Sequence, residues 1–279
     1  MRYITEQMLT EYRTHLIGEE KSVATVSKYL HDVRTFSAWL SGRPFEKNDV
    51  LAYKERLMAC YATASVNVTL SSLNSFFGYF GWYELRVKAV KIQKQVFASS
   101  EKELTKAEYE RLVQAAGDKK DRRLYMLLQT MCSTGIRVSE QKYITVEAVR
   151  CGRAEIECKG KRRTVILPYK LCRMLDAYAK ERKIKEGAVF ITKNGNPLDR
   201  SNIWSDMKRL CRTAHVAEDK VFPHNLRHLF ARTYYTKQKD VVRLADILGH
   251  ENVNTTRIYT METGEIHRRQ IQGLGLLHG

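Results

Sequence analysis

Apolar residues recur at helical spacing through the first part of the chain. The first two stripes consist of Met8, Leu9, Tyr12 and Leu16, and then of Val26, Tyr29, Leu30, Val33, Phe36 and Leu40. Helical segments follow from Leu51 to Met58 and from Val66 to Tyr83, and we expect the aromatic residues of the last segment to lie in the core. This pattern predicts an all-helical domain over residues 1–95.

A short charged segment, residues 96–103, follows this domain. It is poor in large apolar residues and predicts an interdomain linker. Thr105 and Glu108 then have the spacing of a capping box, so we expect a helix to begin there. The second predicted domain covers residues 104–279.

The second domain combines helical and alternating patterns. A helical stripe from Leu124 to Met131 ends at Gly135, and residues 154–167 alternate like a β-hairpin with Gly160 at its tip. A short strand is predicted at 189–192, between helices at about 169–183 and 201–215. The predicted fold class is mainly α with a small antiparallel β-sheet, in which an all-helical N-terminal domain precedes an α+β domain.

The charge of the chain indicates a polyanionic partner. Lysine and arginine number 48 against 31 acidic residues, which gives a formal net charge of +17. A membrane surface would also attract that charge, but no apolar run approaches the roughly 20 residues of a spanning helix. The N-terminus has no signal-peptide core. We therefore expect a cytoplasmic protein without a membrane partner.

The cysteines and acidic residues predict no metal site. No Cys-x-x-Cys pair occurs among the six cysteines, so neither zinc binding nor a disulfide framework is indicated. No acidic cluster suits Mg²⁺, which argues against a two-metal nuclease. We expect the chemistry to use no cofactor.

Four candidate catalytic residues lie close together in the second domain. His224 precedes Arg227 by three residues and shares its helix face, and the guanidinium of Arg227 fits two phosphate oxygens. His250 follows a helix-stopping glycine, and Tyr259 lies in the next helix, which we expect Asn254 to cap. A His–Arg pair on a helix is more often structural than catalytic. As a set, these residues can hold a phosphodiester for attack by a tyrosine.

Two further candidates lie upstream of these. Arg137 follows the helix end at Gly135, and Glu140 comes three residues later. A buried arginine needs a charged or hydrogen-bonded partner, so we expect Glu140 to hold Arg137.

Arg137, a hairpin lysine, His224-x-x-Arg227, Leu-Gly-His250 and Tyr259 have the order and spacing of the tyrosine recombinase (phage integrase) family. The chain resembles this family over nearly its whole length, in the simple two-domain type without an arm-binding domain. Arg137 and Arg227 match the two arginines that bind the scissile phosphate. His224 and His250 match the two remaining active-site positions, and Tyr259 matches the nucleophile.

Two lysines compete for the hairpin position of the family. Lys159 matches best, and Lys161 remains an alternative because hairpin registers slip. Glu140 matches a supporting acidic position. Gln141 stands where many relatives carry an apolar residue, and we expect it to loosen the local packing.

The resemblance implies a site-specific DNA recombinase or integrase. Tyr259 would form a 3′-phosphotyrosine intermediate, and strands would be exchanged without ATP or metal. Residues 1–95 would be the core-binding (SAM-like) DNA-binding domain, and the partner would be double-stranded recombination sites in the nucleoid. Candidate DNA contacts, for which a solvated basic face is the alternative, are Lys28, Arg34, Lys208, Arg209 and Arg212.

The segment after the nucleophile docks on a neighbouring subunit in recombinases of this family. The resemblance therefore implies a homo-tetramer on synapsed DNA, and the alternative is a tail that packs on its own domain. The candidate anchors in this tail are Ile266, Ile271, Leu274 and Leu277.

Two other functions compete with this interpretation. A type IB topoisomerase shares the Arg, Lys, Arg, His and Tyr chemistry, but the tail and the helical N-terminal domain favour a recombinase. A DNA-binding module without catalysis would have lost an arginine or the tyrosine, and none is lost. Phage integration, movement of a mobile element and resolution of chromosome dimers all stay open as biological roles.

Overall fold

The structure, a computed structural model, describes residues 2–91, 102–119, 121–158, 161–260, 268 and 271–274. The chain separates into two compact units, Met1–Lys94 and Gln95–Gly279. Most of the predicted linker, residues 96–101, lies outside the described residues.

Helices form the first unit. Their bounds are α1 Glu6–Gly18, α2 Val23–Leu40, α3 Lys47–Cys60 and α4 Thr63–Tyr79, followed by a 3₁₀ helix at Tyr83–Leu85. Thr5 and Ser22 begin α1 and α2, because each side chain accepts a hydrogen bond from a backbone N–H of the first turn. The all-helical fold predicted for this part of the chain is confirmed.

The aromatic residues near the end of this unit divide between core and surface. Phe76 and Phe77 are fully buried, and Phe77 packs against Phe36 of α2. Tyr79 and Tyr83 are 40% and 63% exposed, so the core prediction is wrong for these two. Tyr83 lies beyond the end of α4, where the buried helical face no longer continues.

Helices also dominate the second unit. They are α5 Lys106–Asp118, α6 Arg122–Thr134, α7 Val146–Cys151, α8 Tyr169–Glu181, α9 Arg200–Ala214, α10 Pro223–Gln238, α11 Val241–Leu248 and α12 Val253–Thr256. Short 3₁₀ helices span Val138–Tyr143, Glu218–Lys220 and Arg257–Tyr259. Thr105 and Glu108 exchange hydrogen bonds at the start of α5, as a capping box predicts.

The predicted hairpin is formed by β1 Arg153–Cys158 and β2 Lys161–Ile166. The strands are antiparallel, and Cys158 pairs with Lys161 next to the tip. Ile156 and Val165 turn their side chains into the core. Within the described residues, the chain is thus mainly α with a small antiparallel sheet, as predicted.

The strand predicted at 189–192 is replaced by isolated β-bridges. Thr145 pairs with Ala188, and Ile191 pairs with Pro197. The chain folds back on itself here, because the N–H of Thr192 donates to the carbonyl of Asn196 at 2.7 Å. A strand cannot extend through such a tight turn.

The core of the second unit collects apolar side chains from α5, α6, the hairpin, α8 and α9. Helix α10 packs across α6, and α11 packs against both α10 and α12. This arrangement brings the N-terminal turns of α10, which carry His224 and Arg227, against the end of α6. In the described part of the chain, every helix is too short or too polar to cross a membrane.

Candidate active site

The end of α6 brings the first arginine into the site. The chain leaves α6 at Gly135 in a left-handed conformation, with a φ of +65°. A Cβ atom there would lie 2.5 Å from Cδ1 of Phe230, so the close packing of α10 on this turn requires glycine. Arg137 follows in an extended conformation and begins the 3₁₀ helix Val138–Tyr143.

Glu140 contacts Arg137, the partner that the sequence predicts for it. Oε1 of Glu140 accepts a hydrogen bond from Nη1 of Arg137 at 2.9 Å, and Oε2 accepts one from the Arg137 backbone N–H at 2.6 Å. Residues three apart lie above one another in a 3₁₀ helix, which explains the contact. The Arg137 side chain remains 43% exposed, so its guanidinium is still accessible from solvent.

A third guanidinium, from Arg163 on β2, shares the Glu140 carboxylate. Its Nη2 donates to Oε2 of Glu140 at 2.6 Å, and its Nη1 donates to the carbonyl of Ile247 at 2.7 Å. Burial would raise the pKa of Glu140, but the bonds from the Arg137 backbone and from Arg163 hold it below its usual value. The buried carboxylate therefore stays ionised.

Arg163 is a site residue that the sequence analysis missed. It lies two positions from the buried Val165 and therefore on the same face of β2. A charged residue on the apolar face of a hairpin was the available signal.

Arg227 is buried, with only 2% of its surface exposed. Nη1 donates to the carbonyl of Gly135 at 2.6 Å, and Nη2 donates to the carbonyl of Leu248 at 2.7 Å. Because these carbonyls end α6 and α11, two helix C-termini direct partial negative charge at the guanidinium. Burial, and then the charge of Arg137, lowers the pKa of Arg227 to about 10, so the group stays protonated at neutral pH.

Arg137 and Arg227 converge at the end of α11. Nη2 of Arg137 lies 3.5 Å from the carbonyl oxygen of Gly249, the residue after Leu248. Gly249 has a φ of +64°, and a Cβ atom there would lie 2.4 Å from Cδ of Arg163. The two arginines therefore lie on the same side of the unit, as a shared phosphate site requires.

Both ring nitrogens of His250 make polar contacts, one with Arg227 and the other with Thr256. Nε2 lies 2.9 Å from Nη2 of Arg227, and Nδ1 lies 2.8 Å from Oγ1 of Thr256. Burial, followed by the charges of Arg227 and Arg137, lowers the pKa of His250 to about 4. The imidazole is therefore neutral at neutral pH.

Tyr259 is buried beside His250, with 3% of its surface exposed. The two rings stack at a centroid distance of 6.1 Å. The preceding helix, α12, is capped by Asn252, whose side chain accepts from the N–H of Asn254. The predicted cap at Asn254 is wrong, because Asn254 already lies in the first helical turn and uses its own N–H as the donor.

His228 contacts Tyr259 but received no role in the sequence analysis. Its ring meets the rings of Tyr259 and His224 edge-on, at centroid distances of 4.7 and 4.5 Å. His224 and His228 are four residues apart on α10, so their shared helix face was the available signal. Burial, then the neighbouring His224 and Arg227, lowers the pKa of His228 to about 4.

His224, at the start of α10, is exposed to solvent. The surrounding protein, and then the charges of Arg227 and Arg137, lower the pKa of its imidazole below the usual value. The site thus brings together Arg137, Glu140, His224, Arg227, His250 and Tyr259 from the predicted residues.

The two candidate hairpin lysines are not part of this described group. Lys159 lies outside the described residues, and at Lys161 only the backbone is described. The assignment of Lys159 in preference to Lys161 stays a prediction.

The expectation that Gln141 loosens the local packing stays a prediction. Gln141 is 3% exposed, and its Nε2 donates to the carbonyl of Leu198 at 2.6 Å. Its buried Oε1 has no hydrogen-bond partner among the described residues. This hydrogen bond connects the backbone at Leu198 to the 3₁₀ helix Val138–Tyr143, which also holds Glu140.

The candidate DNA contacts lie on the surface, and several already bind acidic or backbone groups. The partners are Asp32 for Lys28, Glu6 for Arg34, the carbonyl of Glu218 for Lys208, and Asp206 for Arg209, whereas Arg212 is simply exposed. Their role in DNA binding stays a prediction.

The structure describes two of the four tail anchors. Ile271 and Leu274 are 67% and 62% exposed. Ile266 and Leu277 lie outside the described residues.

Comparison with known proteins covers both units. Residues 102–265 match the phage integrase family, and residues 9–82 match the N-terminal SAM-like domain of phage integrases. Tyrosine recombinase XerA of Thermococcus kodakarensis is 30% identical over 278 residues, which cover 95% of this chain and 94% of that protein.

Two solved structures have the same fold. A lambda integrase dimer bound to a COC′ core site aligns with a TM-score of 0.77 at 17% identity, over 94% of this chain and 97% of that chain. A lambda integrase tetramer bound to a Holliday junction aligns with a TM-score of 0.73 at 17% identity, over 92% of this chain and 78% of that chain. With matches in both units, this chain belongs to the phage integrase family, the tyrosine recombinases that cut and rejoin DNA at specific sites.

Proposed function

We propose that Tyr259 is the nucleophile of site-specific DNA recombination by this chain. Its phenolic oxygen attacks the scissile phosphate, forms a 3′-phosphotyrosine bond and releases a 5′ hydroxyl. The observation that carries the proposal is the convergence of Arg137, Arg227 and His250 at the end of α11, next to the ring of Tyr259.

The two arginines differ in exposure and therefore in task. Arg137 is open to solvent and reaches the phosphate oxygens directly, while Glu140 sets its position. Arg227 is fixed by two helix ends and supplies a charge that does not have to reorient. Such preorganised charge stabilises the negative charge that builds up in the transition state, which is usually the largest catalytic effect.

The proton of Tyr259 passes to a neutral imidazole. The lowered pKa values of His224 and His228 keep both rings unprotonated at neutral pH, so each can accept a proton. We assign the proton transfer to His224, which opens to solvent. His228 contacts both His224 and Tyr259 and orients the two rings.

The leaving 5′ oxygen takes its proton from a hairpin lysine, Lys159 or in its place Lys161. The phosphotyrosine bond keeps the energy of the original ester. A 5′ hydroxyl from a second duplex can therefore reverse the reaction, and strand exchange needs neither ATP nor metal.

The partners are double-stranded recombination sites and further copies of this chain. The formal net charge of +17 favours binding to the phosphate backbone, and Lys28, Arg34, Lys208, Arg209 and Arg212 are the candidate contacts. A homo-tetramer on synapsed DNA is supported by the related tetramer on a Holliday junction and by the exposed Ile271 and Leu274 of the tail. The reaction would take place on the nucleoid in the cytoplasm.

Topoisomerase activity of type IB is not favoured, because both matching families describe phage integrases. A plasmid assay separates the two activities. A recombinase joins two defined sites, whereas a topoisomerase relaxes any supercoiled plasmid.

Covalent capture tests the proposed nucleophile. DNA that flanks the gene is incubated with the protein, the mixture is denatured, and the DNA bound to protein is sequenced to locate the cleavage site. That site is then built into a nicked suicide duplex, in which the released strand diffuses away. We expect the wild-type protein to form an adduct and Tyr259→Phe to bind the duplex equally well without one. An adduct formed by Tyr259→Phe would reassign the nucleophile.

Truncation after residue 261 tests the proposed tail. We expect the shortened protein to bind one site with unchanged affinity and to lose cooperative assembly in a gel-shift titration. Unchanged cooperativity would mean that the tail does not link protomers.

A further inference from the structure

The hydrogen bonds of His250 fix its tautomer. A guanidinium has donors only, so the 2.9 Å contact with Nη2 of Arg227 requires Nε2 of His250 to accept. A neutral imidazole then carries its single proton on Nδ1. Nδ1 donates this proton to Oγ1 of Thr256 at 2.8 Å, and Thr256 is fully buried.

This tautomer is the opposite of the one that a phosphate contact needs. The oxygens of an ionised phosphodiester only accept hydrogen bonds, and Nε2 is the ring nitrogen that faces Arg227. To donate to a phosphate oxygen, Nε2 must carry the proton, and Nδ1 must then become the acceptor.

A threonine hydroxyl can serve both tautomers. Oγ1 of Thr256 accepts from a protonated Nδ1, and after rotation of its O–H bond it donates to an unprotonated Nδ1. The ring releases its Nδ1 proton to solvent water and takes up one proton from solvent water at Nε2. Its charge is therefore unchanged.

We propose that Thr256 is a positioning residue that holds His250 through Nδ1 while Nε2 changes from accepting from Arg227 to donating to the scissile phosphate. This inference rests on the proposed function, in which a phosphate is bound at the end of α11. When DNA binds, a phosphate oxygen accepts both the Arg227 N–H that had pointed to His250 and the new Nε2–H.

Thr256 also ties this exchange to the nucleophile. It is the last residue of α12. Tyr259 comes three residues later, at the end of the 3₁₀ helix that directly follows α12. Hydrogen bonds thus connect Arg227 to His250 and His250 to Thr256. They hold the backbone that carries Tyr259 at a fixed position relative to the buried guanidinium of Arg227.

Nitrogen-15 NMR of the histidine rings tests the tautomer change. Tyr259→Phe protein with labelled histidines is measured free and bound to the nicked duplex, and the His250 signals are assigned by their loss in His250→Asn. We expect a protonated Nδ1 and an unprotonated Nε2 in the free protein, and the reverse in the complex. A protonated Nε2 in the free protein, or an unchanged or doubly protonated ring in the complex, would overturn the proposal.

Three threonine variants test the effect on the reaction. Thr256→Val replaces the hydroxyl with a methyl group, and we expect it to slow adduct formation about tenfold or more with an unchanged Kd for DNA. Thr256→Ser restores the hydroxyl and should restore most of the rate. The neighbouring Thr255 is exposed, so Thr255→Val is the matched control and should react like wild type.

The outcomes separate this proposal from the proposed function. Wild-type rates in Thr256→Val would remove the role of Thr256 and leave Tyr259 as the nucleophile. A wild-type protein without adduct, or an adduct in Tyr259→Phe, would remove the proposed function itself. If Thr256→Val does not fold, the NMR measurement decides alone.

Discussion

Arg137 and Arg227 donate to the carbonyl oxygens of adjacent residues, Gly249 and Leu248, at the end of α11. Carbonyls at a helix C-terminus lack an intrahelical donor, so this end is an acceptor site for cations. One short helix therefore positions both guanidinium groups before any DNA is bound. The unequal burial of the two arginines leads to different expectations for their removal.

Arg227→Ala is expected to reduce both stability and activity. The substitution leaves the carbonyls of Gly135 and Leu248 buried without donors, at a cost of about 1–3 kcal/mol each. We expect a lower urea midpoint and no adduct on the suicide duplex.

Arg137→Ala is the comparison. Glu140 keeps its bond to Arg163 in this variant, so its carboxylate still has a charged partner. We expect Arg137→Ala to abolish the adduct and to change the free energy of unfolding by less than about 1 kcal/mol. Equal destabilisation by both substitutions would contradict the assigned division of tasks.

Arg163→Met is expected to weaken the site through Glu140. Removal of one partner from a buried ion pair typically costs about 3–5 kcal/mol, and here Arg137 still offsets part of that loss. We therefore expect clear destabilisation in urea and slower adduct formation. Arg162 is the matched control, because it is adjacent and its side chain is 80% exposed. Arg162→Met should change stability by no more than about 0.5 kcal/mol. The same loss in both variants would assign the effect to net charge.

The parts of the site that the sequence predicted depend on local spacing. Glu140 contacts Arg137 because three residues separate them in one turn. Gly135 and Gly249 end their helices where left-handed conformations are needed. The cap of α12 was misplaced by two residues, since both Asn252 and Asn254 are good caps and local sequence does not choose between them.

The parts that were missed depend on packing between distant segments. Arg163 binds Glu140 and Ile247 only because the hairpin lies against the end of α11. His228 acquires its contact with Tyr259 only when the segment after α11 returns to α10. No periodic pattern encodes such distances, so the sequence marks the face that each residue occupies but does not identify its partners.

Histidine burial predicts a pH dependence of stability. The pKa of His228 falls from 6.5 to about 4 in the folded chain, so between these values the unfolded chain binds more protons. The free energy of unfolding should therefore decrease as the pH falls from about 6.5 to about 4. His228→Asn cannot titrate and should have a shallower decrease in urea titrations at several pH values. His215 is exposed, and its backbone has a left-handed conformation that asparagine tolerates. His215→Asn is therefore the control and should keep the wild-type slope. An unchanged slope in His228→Asn would mean that its ring is not held neutral by the fold.

Gly249→Ala is expected to displace Arg163. Gly249 and Gly152 have similar φ values, +64° and +69°, so alanine is strained by about 1–2 kcal/mol at either position. At Gly152 a Cβ atom meets nothing within 4 Å, whereas at Gly249 it would lie 2.4 Å from Cδ of Arg163. We therefore expect Gly152→Ala to lose stability without losing adduct formation, and Gly249→Ala to lose both.

A double-mutant cycle identifies the cause of the Gly249→Ala defect. If the new Cβ acts by pushing Arg163 away from Glu140, the loss of stability in Gly249→Ala plus Arg163→Ala should be smaller than the sum of the single losses. The measurement is the free energy of unfolding in urea for the four proteins. Additive losses would show that Gly249 acts on the backbone of α11 instead, and Arg163 would then have no part in the effect.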